Sequence, residues 1–130
     1  DQVLAGGGAL VVAAHAAATK AQALRAVGNE VLMLPAEGRV DLGALMRSLG
    51  ARSINEVHVE AGPALSGSLL QAGLADELLV YLASAVVGDR GRGMFDLPPM
   101  SALSQRYPLD FRDVRSIGPD LRIVARVIRH

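Results

Sequence analysis

The sequence predicts an α/β fold with a mostly parallel central sheet and a C-terminal antiparallel hairpin. Two observations predict it. Through residue 73, short apolar runs alternate with helix-patterned segments, the rhythm of βα units. After residue 76 the chain changes to long strand-like runs, the last two joined by a Gly-Pro step.

The elements follow in order. Residues 9–14, ALVVAA, form a continuous apolar run after three glycines, which suits a strand buried on both faces. Thr19 to Val27 is Ala-rich and is followed by Gly28, a helix with its stop. Glu30 to Leu34 reads as a second strand, ended by Pro35, and Glu37-Gly38-Arg39 as a loop. Asp41 is a suitable N-cap for a helix from Leu42 to Leu49, with Gly50 as its stop. Leu42, Leu45, Met46 and Leu49 share one face of that helix. Asn55 to Glu60 reads as a third strand, and Pro63 to Ala72 as a third helix stopped by Gly73. Glu77 to Ala83 is a long strand, Gly88 to Gly93 a flexible loop, and Pro98-Pro99 a linker. Tyr107 to Ser116 and Leu121 to Arg129 form the closing hairpin around Ile117-Gly118-Pro119-Asp120.

Composition bounds the function. The chain has 130 residues, enough for one domain, and 51% are hydrophobic. Thirteen basic and thirteen acidic residues cancel, whereas a nucleic-acid binder carries a basic surplus or stripe. Arginines 112, 115, 122, 126 and 129 and His130 crowd the last strands, but Asp110, Asp113 and Asp120 dilute them into solvated faces. No cysteine is present, which excludes disulfides and thiolate metal sites. His15, His58 and His130 lack metal-ligand spacing. No apolar run approaches the roughly 18 residues that cross a bilayer, and the first residues lack the basic start of a signal peptide. A soluble cytoplasmic protein is the expectation. The chain opens without Met, directly before an apolar run, as if entered within a domain.

The candidate site is the stretch VHVEAGPALSGSLL, residues 57–70. Ligands of open α/β sheets sit beyond the carboxyl ends of strands, and Glu60 stands at such an end. Gly62 lets a ligand approach the backbone, and Pro63 fits the first helical position. The amides of Ala64, Leu65 and Ser66 are then expected to be free at a positive helix end, which suits a phosphate. Ser66, Gly67 and Ser68 are small, so ligand groups could rest on the turn and two hydroxyls could donate to them. Close helix–strand packing is the alternative account of such small residues, and a strand-end glutamate is usually just solvated. The stretch is neither a G-x-G-x-x-G fingerprint nor a Walker A loop, and no nucleophile elbow surrounds its serines. His15 reads as a surface residue at a helix entry and His58 as a packed or hydrogen-bonded one on the face of Glu60. Asp76-Glu77 reads as solvated.

Residues 54–63 (INEVHVEAGP), Leu65, residues 69–74 (LLQAGL), Asp76-Glu77-Leu78, Tyr81-Leu82-Ala83 and Gly88 resemble the reductase domain of the bifunctional riboflavin-biosynthesis deaminase/reductases, the RibD family. GRVDLGALMRSLG (38–50) and FDLPPM (95–100) are similar to it too, so the resemblance covers most of the chain. It implies a dihydrofolate-reductase-like three-layer α/β/α fold and a homodimer. It implies NADPH-dependent reduction of the ribosyl group of 5-amino-6-(5-phosphoribosylamino)uracil, a pyrimidine ribose-phosphate, to the ribityl alcohol. By that likeness Glu60 matches a substrate-contacting glutamate. Gly62, Pro63, Ala64, Leu65, Ser66, Gly67 and Ser68 match the segment that holds the cofactor phosphates. The resemblance points to no proton donor. It also implies that residues 1–130 are a partial reductase domain, lacking its first part and the deaminase domain. Ser84 departs from the family, which commonly has Pro there. The alternatives are a stand-alone reductase of the same fold with another substrate, and an inactive fragment that dimerises through the closing hairpin.

Overall fold

A computed structural model describes residues 5–88 and 90–129; His130 and one residue of the 88–93 loop lie outside the described residues, as do residues 1–4. The chain divides into two compact units, Asp1–Val57 and His58–His130, and each is described by itself.

The first unit is built on a βαβ turn. Strand β1 (Leu10–Ala13), helix α1 (Ala18–Ala26) and strand β2 (Glu30–Met33) follow one another, and β1 pairs with β2 in parallel from Leu10↔Glu30 to Ala13↔Met33. Both expected strands therefore form. Burial on both faces does not: β1 is half-buried throughout, and Val31 alone of β2 is buried. A parallel strand is covered only where helices close over both faces, and among the described residues of this unit Ala21 and Val31 are the buried apolar ones. The buried Asn29 side chain accepts the Ala9 amide at 3.1 Å, tying the two strand starts together.

After β2 comes a hairpin that the sequence reading took for a strand stop and a loop. Strands β3 (Pro35–Ala36) and β4 (Arg39–Val40) pair antiparallel around Glu37-Gly38, with φ of 45° and 80°. Two left-handed residues in a two-residue loop make a type I′ turn, whose twist matches the flanking strands. Helix α2 (Leu42–Ala51) then starts where expected, Asp41 accepting the Ala44 amide at 2.8 Å through Oδ1. Leu42, Leu45, Met46 and Leu49 are half-buried along one face, as their spacing requires.

The helix does not stop at Gly50. It runs through Ala51, and the left-handed residue is Ser53, φ 62°. Ser53 donates to the Gly50 carbonyl at 2.9 Å and Ile54 to that of Leu49 at 3.1 Å, the two bonds of a Schellman end. The same pair of bonds ends α1 at Gly28 (φ 85°), where Gly28 donates to Arg25 and Asn29 to Leu24. Glycine is thus the favoured residue for this position, and α2 fills it with a serine.

The expected third strand, Asn55 to Glu60, is absent. Residues 54–62 belong to no strand and are exposed, Ile54, Val57 and Val59 included. A strand exists through its neighbour's hydrogen bonds, and no described strand pairs with this segment. Parallel pairing among the described residues is therefore confined to β1 and β2.

In the second unit, helix α3 (Pro63–Gln71) ends in a third Schellman pair, Gly73 (φ 65°) donating to Leu70 and Leu74 to Leu69. Strands β5 (Glu77–Leu82), β6 (Leu109–Ile117) and β7 (Asp120–Val127) form an antiparallel sheet in the order β5-β7-β6. The closing hairpin is as expected. Its two-residue turn has Gly118 at φ 59° followed by Pro119, whose ring forbids a positive φ, so the turn is type II′. Leu78, Val80 and Leu82 face one side with Ala125, Ile123 and Leu121 by register, an apolar face. On this face Ala125 is 1% exposed, and among the described residues of this unit Leu69 and Leu70 of α3 are buried as well.

The opposite face carries the charges. Arg115 and Arg122 stand across from each other in register, and Asp113 accepts from both, at 2.7 and 2.8 Å. Asp110 pairs with Arg112 at 2.9 Å, and beyond the strand ends Asp76 pairs with Arg129 at 2.6 Å. A bulge between Phe111 and Asp113 adds one residue to β6 and bends it. Arg112, Arg115 and Arg129 are exposed, as the expected solvated faces require, and they and Arg122 are also ion-paired to aspartates.

Candidate functional site

The turn from Glu60 into α3 takes its shape from Gly62 and Pro63. Gly62 is the N-cap, at φ −76° and ψ 174°, and Pro63 occupies the first turn as expected. Gly62 has no side chain with which to cap the helix. Pro63 has no N–H, so the unsatisfied donors of the first turn are the amides of Ala64 and Leu65. Neither finds a partner among the described residues, and both residues are exposed.

Three features of the segment differ from the sequence reading. The Ser66 amide is not free: it donates to the Gly62 carbonyl at 3.2 Å, the first intrahelical bond. The Ser68 hydroxyl donates to the Ala64 carbonyl at 2.8 Å, the usual back-bond of a helical serine. Gly67 is buried beneath another part of the chain: a Cβ built on it would come within 2.1 Å of the Asp96 carbonyl oxygen. By contrast, nothing lies within 4 Å of a Cβ built on Gly62. The open part of the turn is therefore Glu60 to Leu65, and Ser66 to Ser68 belong to the body of the helix.

Glu60 and His58 are close, Nε2 to Oε1 at 3.6 Å, with side chains 88% and 64% exposed. The shared face expected of them is present, and His58 is solvated rather than packed. Despite its contact with His58, the exposed Glu60 carboxylate has oxygens open to accept hydrogen bonds from a ligand's hydroxyl or amine groups. At the helix end beside it, two aligned donors and the positive end of the peptide dipoles favour an anion. A carboxylate acceptor next to an anion-binding turn suits a ligand with both a sugar-like polar part and a phosphate.

His15 lies exposed between β1 and α1, away from any strand interior. Asp76 is exposed and paired with Arg129. Ser84 donates its amide to the Asp120 carboxylate at 3.3 Å. Among the described residues no three His, Asp or Glu side chains are grouped to hold a metal, and no helix is long and apolar enough to cross a membrane. Sequence reasoning missed the part played by Asp96, for which the only signal was the FDLPPM segment.

Comparison with known proteins places these features in context. A family model described as the RibD C-terminal domain matches residues 2–123. The riboflavin biosynthesis protein RibD of Escherichia coli (strain K12) is 45% identical over 91 residues, covering 69% of this chain and 25% of that protein. A 5-amino-6-(5-phosphoribosylamino)uracil reductase of Buchnera aphidicola is 33% identical over 86 residues, covering 66% of this chain and 42% of that protein. The solved structure of Acinetobacter baumannii RibD superposes with a TM-score of 0.76 at 25% identity, covering 92% of this chain and 31% of that one. The chain thus spans less than half the length of each of these relatives.

Proposed function

The chain belongs to the RibD C-terminal domain family, and from that premise we propose that it forms part of a riboflavin-biosynthesis reductase. The substrate of this reading is 5-amino-6-(5-phosphoribosylamino)uracil, whose ribosyl group becomes the ribitylamino product, and the cofactor is NADPH. The observation that carries it is the open helix end of α3. Its two free amides and its unobstructed Gly62 directly follow the exposed Glu60 in the chain, and relatives include a reductase of that name.

The residues fit the cofactor's diphosphate. Ala64 and Leu65 supply two unbonded donors at the positive helix end, Pro63 sets the helical φ without needing a partner, and Gly62 leaves the backbone approachable. When bound, NADPH supplies the hydride, and the protein's part is to bind and orient. Glu60 accepts hydrogen bonds from the substrate's ribose hydroxyls and fixes its position. The same reading includes the finer family features: a three-layer, mostly parallel dihydrofolate-reductase-like sheet in the complete domain, a homodimer, a cytoplasmic location and no nucleic-acid partner.

The test is a steady-state assay of NADPH oxidation by the full-length protein. Glu60→Ala should raise the substrate KM about tenfold or more, since loss of a positioning contact has effects of that order. Its unfolding free energy should stay within about 0.5 kcal/mol of the wild type, because the side chain is exposed. A variant that altered stability but left substrate use intact would refute the assignment.

A further inference from the structure

Gly67 poses a question that the cofactor reading leaves unanswered. Its φ is not among the positive ones, so no backbone conformation demands glycine there. Inside a helix, glycine costs about 1 kcal/mol relative to alanine. A packing reason is required, and the structure contains one. The backbone of Asp96 lies flat on Gly67: a Cβ at residue 67 would meet Asp96 O at 2.1 Å, C at 2.9 Å and N at 3.1 Å. Phe95 and Leu97 on either side are half-buried while Asp96 is exposed, so the segment presses its flanking side chains inward.

The contact reaches the proposed anion site through one peptide group. The Asp96 amide donates to the Pro63 carbonyl at 3.0 Å. That carbonyl belongs to the same planar peptide unit as the Ala64 N–H, which points the opposite way. A hydrogen bond accepted at one end of a peptide both fixes the plane and polarises the N–H at the other end. The N–H so fixed is one of the two free donors of the turn.

We infer that residues Phe95 to Leu97 form a strap that orients the Ala64 amide for an anion, with Gly67 as its seat. Gly67 and Asp96 are positioning residues: they act on a bound phosphate through the Pro63–Ala64 peptide. This rests on the reading of the α3 end as the cofactor-phosphate site. It changes the role of Gly67, which is small to admit the strap and not the ligand.

Two variants of the full-length protein test it. Gly67→Ala introduces the Cβ that displaces the strap, and Asp96→Pro removes the amide donor while leaving the sequence of α3 intact. In the NADPH-free protein, Gly67→Ala should speed hydrogen exchange at the Asp96 amide. Both variants should raise KM for NADPH about tenfold with kcat changed by less than about twofold, the pattern of a lost binding contact. Unchanged Asp96 exchange in Gly67→Ala overturns the strap, as does KM for NADPH at the wild-type value in Asp96→Pro. Should Gly67→Ala fail to fold, Asp96→Pro decides alone. A wild-type protein without saturable NADPH dependence overturns the cofactor reading and the positioning role with it. A saturable wild type with unchanged variants overturns the strap only.

Discussion

Glu30, at the start of β2, and Arg52, just past the end of α2, form a two-pronged ion pair, one leg of which measures 2.6 Å. The guanidinium holds the Glu30 carboxyl below its usual value of 4.5, chiefly by hydrogen bonding. On the sheet of the second unit, Asp113 is likewise held below 3.8, first by its hydrogen bond to Arg115 and further by Arg122. A carboxyl whose folded value is depressed contributes stability that is complete above its unfolded value and is lost as pH falls through the folded one. Acidification should therefore erode the Glu30 contribution below pH 4.5 and that of Asp113 below pH 3.8, while the raised values of Arg52 and Arg115 have no effect in this range. Glu30→Gln should lose less stability than the wild type between neutrality and about pH 3 in urea unfolding. Both pairs are exposed, so added salt should shrink the difference. Identical acid profiles for the two proteins would show that the pair contributes nothing.

Ser53 is the left-handed residue of the α2 end, where α1 and α3 carry Gly28 and Gly73. A non-glycine residue there costs about 1–2 kcal/mol in backbone strain. Ser53 is exposed, and its backbone alone makes the capping bond. Ser53→Gly should then stabilise the fold by about 0.5–1 kcal/mol, after the greater freedom of glycine in the unfolded chain is offset. Thermal unfolding measures it, and a lower melting temperature would mean the serine side chain matters after all.

At the other end of the same helix, Asp41 Oδ1 satisfies the Ala44 amide. Asp41→Ala should cost about 1 kcal/mol, and Asp41→Asn, which keeps an oxygen acceptor, should recover most of it. Equal losses in the two variants would argue that charge at the helix end, and not the hydrogen bond, is what Asp41 supplies.

These helix ends show what can be read along the chain. Asp41, Gly28, Gly73 and Pro63 act within a few residues of where they stand, so the local sequence carries their meaning. Gly50 misled because a helix stops where the left-handed residue sits, and a serine three residues on took that place. The β3–β4 turn was missed because Glu37-Gly38 is a weaker hairpin signal than Asn-Gly. Residues 55–60 have strand-forming composition, but pairing depends on a partner that composition cannot report. In the candidate site, the exposed Glu60 and the Gly62-Pro63 turn were legible. The Ser66 amide was misread as free, although counting helical bonds from Gly62 makes it the first bonded one. Close packing at Gly67 was among the readings of its small side chain, but its partner, Asp96, lies too far along the chain to be named from the local sequence.

Ser84 departs from the proline that the family resemblance implies, and the structure gives its amide a use. It donates to Asp120 Oδ1 at 3.3 Å, linking the end of β5 to the first residue of β7 beside the Gly118-Pro119 turn. Proline at this position would remove that donor. An exposed bond of this length should contribute only about 0.5 kcal/mol, and fixing φ in the unfolded chain offsets part of its loss. Ser84→Pro alone should therefore change stability by less than about 0.5 kcal/mol. The link itself is isolated by comparing Asp120→Ala in the wild type and in the Ser84→Pro variant. In the wild type the substitution removes the bond; in the variant there is none to remove. Asp120→Ala should cost about 0.5 kcal/mol more in the serine background, which a double-mutant cycle by urea unfolding resolves. Equal costs in both backgrounds would show that Asp120 acts only within its own turn and that the departure from proline is structurally silent.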